Sequence, residues 1–313
     1  MYKKEIKEVI RTHYGELGIS KVNHLKISRL GVGENNISML AVVDDKKLVF
    51  RIGIKKDLEK NMKREFDYMK KLPDGLAADP IFFDNSKKII PKIYSVLSFI
   101  PGKHIVRWSD KHLKAYAKSL AMLHRKKFNF WEGLDGKRYK LFNILNVFED
   151  DLKDYGFISE DDDIQLLLPY VRKYLKNHNH YFKSLKYFSL CHIDPCITNV
   201  LWAHKEVKFI DWEWSRVFDN AVDVGMFYKT DFAMKPWCIK LSRKRENLYL
   251  SEYLKYNPDK TLRQRVKVWK VCNDFLELVY FKWKVKNYHK DYTELPKVIY
   301  ENSVKGLLKI LKN

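Results

Sequence analysis

The chain has 313 residues, with 60 Lys and Arg against 39 Asp and Glu, a formal net charge of +21 and an apolar share of 46%. That apolar share excludes a disordered chain, and 12 Gly with 9 Pro exclude collagen and leave few linkers. Four cysteines, Cys191, Cys196, Cys238 and Cys272, are too few and too unevenly placed for a disulfide framework, so a reducing, cytoplasmic setting is expected.

The N-terminal segment interleaves charges with Ile6, Val9 and Ile10 at helical spacing, and it lacks the unbroken apolar stretch of a signal peptide. No run approaches the roughly 18 apolar residues of a bilayer span, so integral membrane association is not expected. Leu25 to Val32 reads as a strand, and Gly31-Val32-Gly33-Glu34-Asn35-Asn36 turns it into a second strand, Ile37 to Val43. Asp44 to Lys47 is a turn into a third, Leu48 to Ile52. A helix follows over Asp57 to Leu72, with Leu58, Met62, Glu65, Phe66 and Met69 at spacings of three and four, stopped by Pro73-Asp74-Gly75. The strand Lys92 to Ile100 ends at Pro101-Gly102, the best hinge in the chain, because Pro cannot continue a ladder and Gly tolerates the turn.

Beyond this point helices dominate: Leu113 to Lys126, Ile164 to Leu175, Leu262 to Trp283 and Leu295 to Leu311. Eight of the fifteen residues from Glu149 to Asp163 are acidic. A cap at Ser159 and the positive end of the helix dipole explain part of that run without a ligand. The expected division is an N-terminal lobe over 1–100 and a C-terminal lobe over 101–313. The lysines are spread along the chain rather than gathered in one block, so a solvated basic surface is favoured over a nucleic-acid partner.

The segment richest in chemistry is Cys191-His192-Ile193-Asp194-Pro195-Cys196-Ile197-Thr198-Asn199, followed by two short strands and Ile210-Asp211-Trp212-Glu213. Asp194 and Asn199 lie at the interval that separates base from metal ligand in a kinase catalytic loop. An Asp can take the proton of an attacking hydroxyl, an Asn carbonyl can bind magnesium without adding charge, and a second Asp can chelate the ion that bridges nucleotide phosphates. The hairpin is expected to return Asp211 beside Asn199. Other chemistries are open at the same residues: Cys191 and His192 as a thiol and its base, or Cys191, Cys196 and His192 as metal ligands, although no second Cys/His pair at zinc spacing accompanies them.

At these residues the chain resembles the aminoglycoside phosphotransferase and choline kinase superfamily, whose fold is similar to that of the protein kinases. The resemblance rests on H-x-D-x-x-x-x-N, a hairpin and I-D-W-E in order, and covers roughly residues 25 to 290. It implies an α+β, protein-kinase-like two-lobed fold, with a small antiparallel β-sheet N-lobe that binds nucleotide and a larger, mainly helical C-lobe that carries the catalytic loop and the acceptor. It implies ATP and Mg2+ as cofactors, a small-molecule alcohol as acceptor, and phosphoryl transfer as the reaction. Asp194 then matches the catalytic base, His192 a residue bracing its loop, and Asn199 and Asp211 the magnesium ligands. Asp223 matches an aspartate that braces the catalytic loop.

Gly31, Gly33 and Asn36 fall where the family places its phosphate loop, though an ordinary hairpin turn explains them equally. Arg51 stands where protein kinases have a strand lysine, with Glu65 placed to pair with it, and Ser98 to Ile100 fall at the interlobe segment beside ATP. Leu120-Ala121-Met122-Leu123-His124 resembles the family's LxxLH helix end. Glu213, Trp214 and Asp219 are the expected acceptor contacts, with Trp212, Trp237 and Trp283 as further aromatics for a cationic amino alcohol or aminoglycoside. A sugar acceptor, or a silent nucleotide- or RNA-binding protein that retains the fold, are the alternatives.

Overall fold

The computed structural model describes residues 2–33, 35–55, 59–153, 155–156, 158–229, 237–287 and 307. The chain divides into two compact units, one of Met1–Val106 with Asn199–Ser215 and one of Arg107–Thr198 with Arg216–Asn313. A single break after residue 100 was expected. The chain instead leaves the first unit after Val106 and returns to it for the hairpin that ends at Asp211.

The first unit begins with α1 (Lys3–Thr12), which buries Ile6, Val9 and Ile10 on one face. Its sheet contains β1 (Leu25–Val32), β2 (Asn36–Val43), β3 (Lys46–Gly53), β4 (Pro80–Asp84) and β5 (Tyr94–Ser98), in the order β1-β2-β3-β5-β4. Neighbouring strands are antiparallel throughout. Met39, Ala41, Phe50, Tyr94 and Val96 form the buried face with the α1 residues. Each such side chain contributes roughly 1.5–3 kcal/mol by leaving water. β4 has no counterpart among the expected strands. It opens on Pro80 and all five of its residues are half-buried, so it carries neither clean alternation nor a free choice of position; Pro confines it to the edge.

The helix that was expected from Asp57 to Leu72 is α2 (Glu59–Met69), and Asp57 and Leu58 lie outside the described residues. β6 (Lys103–His104) pairs with the strand Val200–Ala203, which in turn pairs with Glu206–Phe209. This pairing explains why Pro101-Gly102 stays within the first unit. A Cβ at Gly102 would stand 3.0 Å from the Cβ of Leu201, so a larger residue would push the two strands apart.

The second unit holds α3 (Asp110–Leu123), α4 (Ile144–Leu152), α5 (Asp162–His178), α6 (Ala221–Met226), α7 (Arg243–Tyr256) and α8 (Leu262–Asn287). The strand Phe188–Cys191 leads into the loop that carries Asp194 and pairs with Arg216–Phe218 on one side and Lys127–Phe128 on the other. The cap of α5 is Asp161, whose side chain accepts from the Ile164 amide, and not Ser159. The predicted helix Leu295 to Leu311 lies outside the described residues, apart from Leu307. The architecture is therefore α+β, an N-terminal antiparallel sheet followed by a mainly helical C-terminal part. Among the described residues no helix is long and apolar enough to cross a membrane.

Candidate active site

In the first unit, four separate segments meet in one polar network. Arg51, on β3, donates from Nη1 to Oε1 of Glu65 on α2, and from Nη2 to Oδ1 of Asp211 at 2.7 Å. The Trp212 amide donates to the same Glu65 oxygen at 3.1 Å. Glu213 accepts at Oε2 from Asn35 Nδ2 at 2.9 Å, and its carbonyl accepts from Arg64 Nη2 at 3.1 Å. Burial works against the charge on Arg51, but Glu65, Asp211 and Glu213 outweigh it and hold the guanidinium charged. Burial also pushes the Glu65 carboxyl up, with Arg51 opposing.

Asp211 differs from its neighbours in two ways. Its side chain is 42% exposed, and its backbone sits at φ +66°, a conformation uncommon for a residue with a side chain. Strain of this kind costs about 1–3 kcal/mol and persists only where the surroundings dictate it. The hairpin brings the backbone before Asp211 beside Asn199, where the amide of Ile210 donates to the Asn199 carbonyl at 3.0 Å. Nothing lies within 4 Å of where a Gly31 side chain would begin. Gly33 closes the turn through its amide on the Asn36 carbonyl at 2.8 Å, and Asn36 is itself buried.

In the second unit, the loop that carries Asp194 is built on Asp223. The amides of His192 and Ile193 donate to the two Asp223 carboxylate oxygens at 2.7 and 2.8 Å. His124, at the end of α3, bonds the same carboxylate through Nε2 at 3.0 Å and the Tyr253 hydroxyl through Nδ1 at 2.8 Å. Burial lowers the His124 pKa, with Asp223 opposing. These bonds hold Ile193 at φ +72°, which a β-branched side chain strongly disfavours. The Tyr116 hydroxyl donates to the Pro195 carbonyl at 2.7 Å, securing the far side of half-buried Asp194. Asp223 thus braces the loop as expected, and the LxxLH helix end supplies the histidine that braces Asp223.

The chain matches the model of the phosphotransferase enzyme family over residues 26–263. It belongs to that family. That family is one of phosphotransferase enzymes. Among relatives, a LicA homolog of Metamycoplasma hominis is 21% identical over 173 residues, 55% of this chain and 59% of that protein. The match therefore spans little more than half of that relative's length. Among solved structures, an ethanolamine kinase of Plasmodium vivax superposes with a TM-score of 0.69 at 17% identity, covering 98% of this chain and 90% of that one. A spectinomycin phosphotransferase superposes with a TM-score of 0.58 at 13% identity, covering 97% of both chains. These two structures share the fold.

Several residues that the family pattern nominates have other duties. Asp219, expected at the acceptor, is 1% exposed and is held by Arg265 and Trp269, so no ligand reaches it. Ser98 commits its hydroxyl and its amide to Asp79 across the sheet. The Ile100 carbonyl accepts from the Gly102 amide at 2.8 Å. Trp212 is fully buried and Trp283 stacks on Tyr280, whereas Trp214 is about half exposed. Glu213 is bound to Asn35 and Arg64 rather than presented on its own. Part of the acidic run is paired within the second unit: Arg172 grips Glu149 at 2.7 and 2.8 Å, and Lys282 holds Asp161 and Asp163.

The cysteine alternatives fall as well. All four thiols are free and buried, and burial pushes the Cys191 thiol well up, the opposite of what a nucleophile needs. His124, Cys191 and Asp223 lie close enough to hold a metal ion, but the histidine and the carboxylate are already spent on the loop. The acceptor set of Asp211 and Asn199 is oxygen only, which suits a hard divalent cation such as magnesium. Asn35 and Arg64 were missed. The pair Asn35-Asn36 in a glycine turn was the one signal for the first; nothing local marks the second.

Proposed function

We propose that this kinase moves the γ-phosphoryl group of ATP to the hydroxyl of a small amino alcohol, of the kind that choline and ethanolamine represent. The observation that carries the reading is the ion pair between Arg51 and a half-exposed, strained Asp211, in a chain whose Asp194 loop is braced by Asp223. A fold kept without catalysis has no need to hold a carboxylate in a costly backbone state next to a fixed arginine.

Asp194 acts as general base. As the acceptor oxygen forms its bond to the γ-phosphorus, the bond from that phosphorus to the bridging oxygen breaks, its electron pair leaves on ADP, and the acceptor proton passes to the Asp194 carboxylate. Arg51, held charged by its acidic neighbours, donates to phosphate oxygens, and its planar fork suits them. Asp211 and Asn199 would hold magnesium, whose chemistry there is neutralisation of phosphate charge. The turn from Gly31 to Asn36 offers backbone amides to the phosphates. His192 acts through the loop rather than on substrate.

The acceptor class is supported by the segment Asp211-Trp212-Glu213-Trp214-Ser215, by an exposed Trp214 as an aromatic face for a cationic group, and by the ethanolamine kinase among the structural neighbours. Asp219 and the paired members of the acidic run, Glu149, Asp161 and Asp163, no longer support it. The test is ADP release from ATP and magnesium with choline, ethanolamine, aminoglycosides and simple sugars offered separately. Turnover with an amino alcohol alone is the expected result. Turnover only with a sugar or an aminoglycoside moves the acceptor class, and no turnover with any of them overturns the reading.

A further inference from the structure

We propose that Asn35 is a positioning residue for the nucleotide, holding the Gly31–Asn36 turn to the segment of Asp211 through its bond to Glu213. The proposal rests on the nucleotide reading above and goes beyond it in assigning the tether. Among the described residues, the turn has little else to secure its tip. Leu30 and Val32 beside it are 48% and 57% exposed, so they supply no apolar anchor, and Gly31 has no side chain. Within the turn, the Gly33 amide bonds the Asn36 carbonyl, and the Asn35 carbonyl accepts from the Ile54 amide at 2.9 Å. Both bonds shape the turn and tie it to the sheet it belongs to. The bond from Asn35 Nδ2 to Glu213 Oε2, at 2.9 Å, is the one that crosses 178 residues of chain.

Its far end is itself fixed. Glu213 lies two residues after Asp211, and Arg64, next to Glu65 on α2, grips its carbonyl. Through Glu213 the turn that would meet phosphates is thereby joined to the segment of Asp211, the carboxylate that would hold magnesium and that pairs with Arg51. An amide is the right donor for this place. It makes a charge-assisted bond to a carboxylate without bringing a second charge of its own, and it is not altered by pH near neutrality. A free hairpin tip would have to be ordered each time a nucleotide bound, and a tethered one is ordered beforehand.

The test is calorimetric titration of ADP with magnesium, together with separate KM values for ATP and acceptor, in Asn35→Ala, Asn35→Asp, Glu213→Ala, Asn35→Ala/Glu213→Ala and Asn35→Asp/Glu213→Gln. Asn35→Ala should weaken ADP about tenfold, the loss of one charge-assisted bond, and raise the KM for ATP while leaving that for the acceptor alone. In the Glu213→Ala background the same change should do nothing more, since the bond is already gone. Asn35→Asp should be worse than Asn35→Ala, because two carboxylates then face each other, and Asn35→Asp/Glu213→Gln should recover affinity by reversing donor and acceptor. That recovery is something general damage to the fold would not produce. ADP affinity in Asn35→Ala within twofold of wild type, equal losses with and without Glu213, or no recovery in the reversed pair each overturns the proposal. A wild-type protein that binds no ADP overturns the nucleotide reading and the proposal together, whereas wild-type affinity in Asn35→Ala overturns the proposal alone.

Discussion

The first unit sets Arg51 between Glu65 and Asp211, and the second sets Arg265 between Asp219 and Asp259. The two clusters each set one arginine between two carboxylates, and they have opposite uses. Around Arg265 the Asp219 carboxylate takes bonds from Arg265 Nε at 3.2 Å, from Trp269 Nε1 at 2.7 Å and from the Ala221 amide at 3.1 Å, and its side chain is 0% exposed. It is saturated and shut away, which makes it a brace. Around Arg51, Glu65 is equally buried and takes the Trp212 amide, but Asp211 is 42% exposed. What separates a site from a brace here is how much of one carboxylate remains open to an incoming group, more than the presence of a pair.

That difference can be broken from either side. The largest effect should come from Asp211→Ala: turnover is expected to fall by about 10³-fold or more, the several kcal/mol a bound metal contributes, while the thermal midpoint moves less, because Asp211 is half-exposed and Arg51 keeps Glu65 as its partner. Retained turnover, read as ADP release, would remove Asp211 from the metal site. Asp219→Ala should do the reverse. It leaves Arg265 buried beside Asp259 alone, which costs about 3–5 kcal/mol in a urea titration. Asp219→Asn, which keeps an acceptor oxygen, should cost less, and an unchanged urea midpoint for both variants would contradict the brace.

Asp194→Asn comes next, with kcat lowered by at least ~10²-fold and the Kd for ADP unchanged, as befits a group that acts on the acceptor proton. Near-normal turnover would exclude it as the base. The smallest effect concerns a third buried charge. Lys270 lies 3.8 Å from Glu246 and its ammonium sits over the Tyr228 ring at 3.6 Å. Burial, with Glu246 opposing, pushes its pKa from 10.5 down to about 8. The folded value is the lower one, so between about pH 8 and 10.5 the unfolded chain holds more protons and stability rises with pH across that window. Lys270→Met should flatten that rise and shift stability by about 1–2 kcal/mol. A slope that survives the substitution would assign it to another group.

Much of this molecule follows from short stretches of its sequence. Hydrophobic periods of two and of 3.6 mark β1, β2, β3, β5 and most of the helices, because such patterns report directly which face of a local element leaves water. The order H-x-D-x-x-x-x-N, hairpin, I-D-W-E is likewise local, and so are the loop and the hairpin it builds. The pairing of Arg51 with Glu65 was reachable too, since α2 follows β3 closely. Other features are not written in any window. Asp211 and Asp219 are eight residues apart and look alike in the chain; Arg265, Trp269 and the helices that bury Asp219 come from far downstream. Nor does anything near Asn35 name Glu213 as its partner. A charged or amide side chain takes whichever partner remains once distant segments have removed it from water, and that desolvation is settled only when the whole chain is packed.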